Sequence, residues 1–294
     1  MKNNVITFVE YQKLLKAIFC FFDKACRENG IKYTVCSGTL IGVARHGDII
    51  PWDGDIDVAM TRENFKKLEA FFSTYNGRYY LSQLPKDYIK HGWKKDYGLL
   101  HPRIVDKKCN NLLFCIDVYT IDFLGDDYQK AQVAVEKYNK FMSWSRASVS
   151  FHLPPLHNYN TFLQNLRNIL LHIFHPLAFL VAWFNKPFFN RAYSKFQKEY
   201  LSYPENSKYY TLKPYYGRMG IAENDLGEYI DLPFGKMKAM CIKKYDEALK
   251  RSYGDYMKIP PKDKQIPYPS EKELTKIKFE MDEELEMYLN LANE

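Results

Sequence analysis

The sequence predicts an α/β (α+β) protein: a mixed β-sheet core flanked by helices over residues 1–125, and a mainly helical part over 126–294 packed on that core. Three observations carry this. Short runs rich in β-branched and aromatic residues, at 31–36, 78–83, 99–106 and 113–120, alternate with helical stripes in the first part. Beyond Gly125 the apolar spacing turns helical, near 127–145, 160–184, 186–202, 236–252 and 271–292. No internal repeat or low-complexity linker divides the chain, so the two parts are expected to pack as one unit.

The elements follow in order. Tyr11, Leu15, Ile18 and Phe22 form a helical stripe over 8–28, which Asn29-Gly30 ends. Ile31–Cys36 reads as a strand. Ser37-Gly38-Thr39 breaks it, and Leu40–Ala44 starts a short helix. A turn through Gly47-Asp48 leads to Ile49-Ile50-Pro51-Trp52, and Asp53–Met60 reads as a loop passing into a strand. Thr61 is placed to cap a helix over 62–74.

Composition bounds the partners. The 294 residues carry 42 Lys+Arg against 35 Asp+Glu, a net charge of +7, which favours anionic ligands. No dense basic run or nucleic-acid module appears, so nucleic acid is not an expected partner. The 24 Tyr and 20 Phe suit sugar or base stacking, and equally suit an A/T-rich genome. Six cysteines lie mostly in apolar runs, with no C-x-x-C pair and no zinc-finger spacing, and no signal-peptide run opens the chain. A reduced, cytoplasmic setting is expected. The apolar stretch 166–189 holds His172, His175 and Pro176, too interrupted for a spanning helix. It reads as a buried or lid helix, or as a peripheral contact with the inner face of the cell membrane.

The chemistry concentrates in Asp53, Asp55 and Asp57. In an extended chain residues two apart point the same way, so three carboxylates converge on one face. They repel one another unless a cation neutralises them, and a hard divalent ion, Mg²⁺ or Mn²⁺, is the natural neutraliser for oxygen ligands. Ser37-Gly38-Thr39, after a strand and opening a helix, offers backbone N–H groups to an anion, with a glycine that admits close approach. Asp117 sits alone in an apolar strand, where a carboxylate needs a partner. Asp122, nearer that strand's end, reads as a turn residue.

A Ser-Gly turn, paired acids and a third acid on a later strand together resemble the nucleotidyltransferase-fold superfamily. The match narrows over Cys36–Gly47, Ile50–Asp57, Leu232–Gly235 and Tyr253–Pro261, which are similar to the signatures of the LicD family, across residues 8–262. The resemblance implies a nucleotidyltransferase-like core, with roles carried over residue by residue: Asp55 and Asp57 as paired metal ligands and catalytic acids, Asp53 beside them, and Asp117 as the third carboxylate, helping to deprotonate the attacking hydroxyl. Two ions are implied. It implies a CDP-linked alcohol donor such as CDP-choline, a glycan acceptor of lipopolysaccharide, teichoic acid or capsule type, and release of CMP. The family commonly reads Trp-Asp-Asp-Asp where this chain has Gly54. A side chain there would point away from the acids, so the expected consequence is local loop flexibility.

Ser37, Gly38, Thr39, Arg45, His46 and Arg103 are assigned to the donor nucleotide and its phosphates, the arginines as bidentate forks. Surface solvation or pairing with the acids is the alternative for both arginines. Trp52, Tyr253 and Asp255 are assigned to the acceptor, although Gly254-Asp255 equally suits a helix-ending turn. An aromatic box for a quaternary ammonium could draw on Trp52, Trp93, Tyr97, Tyr119, Tyr215 or Tyr216. Two enzyme readings compete: a nucleotidyltransferase passing NMP from an NTP, and a D-x-D metal-dependent glycosyltransferase. A non-catalytic glycan- or membrane-binding module is the reading from another class.

Overall fold

A computed structural model of the chain describes residues 6–82, 101–109, 114–149, 203–212 and 221–293, with isolated positions between 166 and 199. The chain divides into two compact units. The first takes Met1–Gln83, His101–Ile121 and Asn224–Glu294; the second takes Leu84–Leu100 and Asp122–Glu223.

In the first unit, helix α1 (Phe8–Glu28) opens on a capping box between Thr7 and Glu10. Its apolar stripe buries Tyr11, Leu15, Ile18, Phe19 and Phe22 completely, each contributing roughly 1.5–3 kcal/mol. Phe21 meets Phe71, Tyr75, Tyr79 and Tyr288 in one aromatic cluster. Strand β1 (Thr34–Val35), helix α2 (Ser37–His46), strand β2 (Asp57–Thr61) and helix α3 (Arg62–Thr74) follow. The Thr61 side chain caps α3, as the sequence predicts.

Strands β3 (Tyr79–Ser82), β4 (Arg103–Asp106) and β5 (Cys115–Gly125) complete a mixed sheet in the order β1-β2-β5-β4-β3. The β2–β5 pair is parallel and the others along this path are antiparallel. The predicted mixed α/β class is the fold observed. Because β5 runs on to Gly125, Asp122 is a buried strand residue rather than a turn residue.

In the second unit, helix α4 (Tyr128–Val149) precedes strands β6 (Tyr209–Leu212) and β7 (Ala222–Glu223); β6 pairs with β5 and β7. Positions 166, 169, 170, 173 and 177 are helical, and their Leu and Ile side chains are exposed. The rest of the 166–189 stretch, with His172 and His175, lies outside the described residues. Among the described residues, no helix is long and apolar enough to cross a membrane.

The C-terminal segment of the first unit departs from the helical reading. The expected helix over 236–252 is instead strand β9 (Met237–Ile242) followed by helix α5 (Tyr245–Tyr253). Strand β9 pairs with β8 (Tyr229–Phe234) through a two-residue turn with Gly235 at φ 62°, a conformation glycine adopts freely. The expected helix over 271–292 is broken into α6 (Glu271–Leu274) and α7 (Glu283–Asn293). Between them Phe279 bridges to Cys109.

Arg78 ties the C-terminal segment to the sheet. Its Nη2 lies 2.7 Å from Asp106 Oδ2, with both side chains fully buried, and its Nη1 lies 2.8 Å from Asp282 Oδ1. Truncating one member of such a pair strands a buried charge. Arg78→Met is therefore expected to cost about 3–5 kcal/mol, read as a lower urea midpoint; an unchanged midpoint would contradict this role.

Candidate active site

The site lies where β2 and β5 run side by side. Their register pairs Asp57 with Asp117, and the antiparallel register of β4 pairs Asp117 with Arg103. Residues opposite one another in a sheet share a face, so Arg103, Asp117 and Asp57 form a row across three strands. All three are buried. Asp55 and Asp53, in the loop that feeds β2, are half-buried.

The start of α2 meets this row from the other side. The Cys36 N–H donates to the Asp57 carbonyl at 3.0 Å, and the Asp57 N–H donates to Thr39 Oγ1 at 2.8 Å. Helix α2 begins at Ser37, three residues before the predicted start. Ser37 has φ 52°, a left-handed conformation that costs a non-glycine residue of order 1–3 kcal/mol. Its hydroxyl points to Cys36 Sγ at 3.9 Å and lies close enough to the Asp57 carboxyl and the Tyr253 hydroxyl to lower the pKa of each. A Cβ added at Gly38 would stand 2.6 Å from Asp53 Oδ2. The group that needs this glycine is thus the Asp53 carboxylate, where the sequence suggested a phosphate.

Burial and mutual repulsion dominate the electrostatics. Burial, then the charges of Asp57 and Asp53, push Asp55 up to about 10. Burial, then Asp117 and Asp53, raises Asp57 well above the carboxylate range, against the pull of Ser37 and Arg103. Asp53 is raised by burial, against the lowering pull of its neighbours Asp55 and Gly54. Asp117 behaves oppositely: burial would raise it, but Arg103 and His101 outweigh burial and hold it below its ordinary value. Arg103 Nε stands 2.7 Å and His101 Nε2 3.1 Å from Asp117 Oδ1.

These shifts set a pH dependence. A carboxyl whose folded-state pKa is raised binds its proton more tightly when folded, so stability falls as pH rises from the unfolded value toward the folded one. For Asp55 that window runs from 3.8 to about 10. Asp117, being lowered, loses its contribution only on acidification below that window. The metal-free protein is expected to melt lower at pH 8 than at pH 5. Differential scanning calorimetry checks this, and a flat or reversed trend would contradict it.

Other residues singled out in the sequence fall elsewhere. Arg45 Nη1 donates to the carbonyls of Tyr256 and Lys258, at 2.7 and 3.2 Å, and its Nε donates to His46 Nε2 at 2.9 Å. Arg45 thus ties α2 to the Tyr253–Pro261 segment. His46 stands edge-on to Trp52, with ring centroids 6.0 Å apart. Gly254 caps α5, its N–H bonded to the Lys250 carbonyl, so Gly254-Asp255 is the helix-ending turn and Asp255 is exposed. Tyr253 is 51% exposed yet reaches Ser37. Tyr119 is buried beside His101; Trp93, Tyr97, Tyr215 and Tyr216 lie outside the described residues.

Gly54 also differs from expectation. A Cβ there would meet the Tyr268 carbonyl oxygen at 1.9 Å and Pro269 Cδ at 2.7 Å. Close backbone approach, not flexibility, requires glycine at this point. Tyr11 Oη donates to the Gly54 carbonyl at 3.1 Å, and Gln12 Nε2 to the Asp53 carbonyl at 2.7 Å, so α1 clamps the acidic loop. Tyr11, Gln12 and His101 were not anticipated. Their partners lie 38 or more residues away for the first two and 16 away for His101, beyond the reach of local pattern.

Comparison with known proteins defines the class first. The family LicD/FKTN/FKRP, nucleotidyltransferase domain, matches residues 30–154, which contain the Ser37 turn and all four acids. The lipopolysaccharide cholinephosphotransferase LicD of Haemophilus influenzae is 25% identical over 278 residues, 90% of this chain and 96% of that protein. The ribitol 5-phosphate transferase FKRP of Homo sapiens is 48% identical over 40 residues, 14% of this chain but 8% of its own length. Residues 30–154 thus match the LicD/FKTN/FKRP nucleotidyltransferase domain, and the chain is similar to a lipopolysaccharide cholinephosphotransferase along most of its length.

Proposed function

We propose that this chain moves a phospho-alcohol group, phosphocholine or a relative, from a CDP-linked donor to a hydroxyl of a cell-surface glycan, releasing CMP. The in-register pair Asp57–Asp117, with Asp55 beside it, is the observation that carries the reading. The similarity to a lipopolysaccharide cholinephosphotransferase and to a ribitol 5-phosphate transferase supports the group transferred and the glycan acceptor.

Among the described residues, no three His, Cys, Asp or Glu side chains are already gathered around one point as an ion cage. The donor set nonetheless suits Mg²⁺ or Mn²⁺: its oxygens are carboxylates, two of them buried, and Asp55 and Asp57 are crowded enough by one another and by Asp53 to resist ionising without a cation. Asp57 and Asp117 are already neighbours in the sheet, so gathering them takes side-chain rotation and leaves the backbone in place. Asp55, Asp57 and Asp117 would hold the ion or ions, with Asp53 at the mouth. Bound there, the cation supplies charge neutralisation at the donor diphosphate.

The chain's own groups do the rest. The N–H groups opening α2 would be offered to the donor's phosphates, and the Thr39 hydroxyl holds the Asp57 N–H at 2.8 Å. The acceptor oxygen attacks the β-phosphorus, its bond forms as the bond to CMP breaks, and the hydroxyl proton passes to a carboxylate of the cluster. Asp117, held ionised by Arg103 and His101, is a weak base, so this role falls to Asp55 or Asp57.

A thermal-shift panel of CDP-choline, CDP-ribitol, CDP-glycerol and CDP-ethanolamine, with and without Mg²⁺, tests the proposal. A donor that binds the folded state raises the melting temperature, and one is expected to do so only with Mg²⁺. No response to any of them, or release of pyrophosphate from CTP in place of CMP from a CDP donor, would overturn it.

A further inference from the structure

We propose that His101 is a positioning residue that fixes the Asp117 carboxylate for cation binding; this rests on the metal-dependent reading above. Three donors converge on one oxygen, Asp117 Oδ1: Arg103 Nε at 2.7 Å, His101 Nε2 at 3.1 Å and Cys115 Sγ at 3.5 Å. They come from two strands and the turn before β4. Arg103, the nearer group, already sets a cation against the buried carboxylate. His101 adds a second contact from another direction. One contact at 2.7 Å leaves a carboxylate free to swing about that contact, and a second donor from another angle stops the swing.

His101 is itself held. It is buried, and its ring lies tilted on Tyr119 with centroids 4.7 Å apart. Tyr119 follows Asp117 by two residues on β5 and so shares its face. The ring, the strand and the carboxylate form one fixed assembly. The carboxylate so fixed is the register partner of Asp57. Groups that orient a metal ligand in this way commonly govern affinity by about 10–100-fold when lost.

The experiment is a Mn²⁺ titration of the full chain followed by electron paramagnetic resonance, with Mn²⁺ alone as the probe. His101→Phe keeps a ring against Tyr119 but removes the donor, and is expected to weaken Mn²⁺ binding by about 10–100-fold. His101→Asn keeps a polar amide too short to reach and serves where the Phe variant fails to fold. His101→Gln places an amide donor near the position of Nε2 and is expected to stay close to wild type. Wild-type affinity in a folded His101→Phe or His101→Asn protein would overturn the proposal, and so would equal weakening in His101→Gln. A wild-type chain that binds no Mn²⁺ would instead sink the metal-dependent reading, and the proposal with it.

Discussion

Asp57→Asn is expected to lower turnover by about 10³-fold while leaving the metal-free protein at least as heat-stable as wild type. Asp57 is buried, and the carboxylates of Asp117 and Asp53 face it. In the resting protein its ionisation is opposed by burial and by those neighbours. Asparagine keeps the shape and an acceptor for the Ser37 hydroxyl while removing the repulsion. In the reaction the same charge becomes an asset, because a ligand to a divalent cation is lost with it. Metal-ion catalysis supplies several kcal/mol of transition-state stabilisation, and about 4 kcal/mol corresponds to about 10³ in rate. Turnover and a melting curve, measured on the same preparation, give both halves of the prediction. A variant that melts well below wild type would make Asp57 a structural residue.

Gly54→Ala is the second large effect expected. The added methyl would overlap the Tyr268 carbonyl, 1.9 Å away, and that obstacle is backbone, which cannot rotate aside. Either the 268–269 segment or the acidic loop must shift. Overpacking of this kind typically costs about 1–3 kcal/mol. The loop carries Asp53 and Asp55, and a displacement of about 1 Å at reacting groups can cost about 10²-fold. We expect kcat/KM to fall by about that factor, with a lower melting temperature. Gly227→Ala is the control, since a Cβ there meets nothing within 4 Å. Equal activity in the two variants would show that the contact at Gly54 yields without consequence.

The contrast between these sites shows what local sequence carries. The acids two apart, the Ser-Gly turn and the single acid in an apolar strand were legible because period and spacing report which side chains share a face. The approach of Asp57 to Asp117 needed only the further step of pairing two strands. The strand at 237–242 reads as the start of a helix over 236–252 because Met, Ala and Lys are strong helix formers. The alternation of Met237, Ala239 and Cys241 after Gly235 was the signal that a strand leaves a tight turn.

Arg45 illustrates a different limit. Its position after the Ser-Gly turn suggested phosphate, but its hydrogen bonds are set by a segment 211 residues further on. His101 gave no signal at all, since a lone histidine acquires meaning only from the register of β4 and β5. Gly54 was visible as a departure from the family pattern. The reason for it, the backbone of Tyr268–Pro269, was not.

The most direct test of the central claim is an anomalous difference map from crystals of the full chain grown with Mn²⁺ and CDP. The account predicts a manganese peak within bonding distance of carboxylate oxygens from both β5 (Asp117) and the segment entering β2 (Asp55 and Asp57). A peak that touches neither strand, or no peak at saturating Mn²⁺, would contradict it.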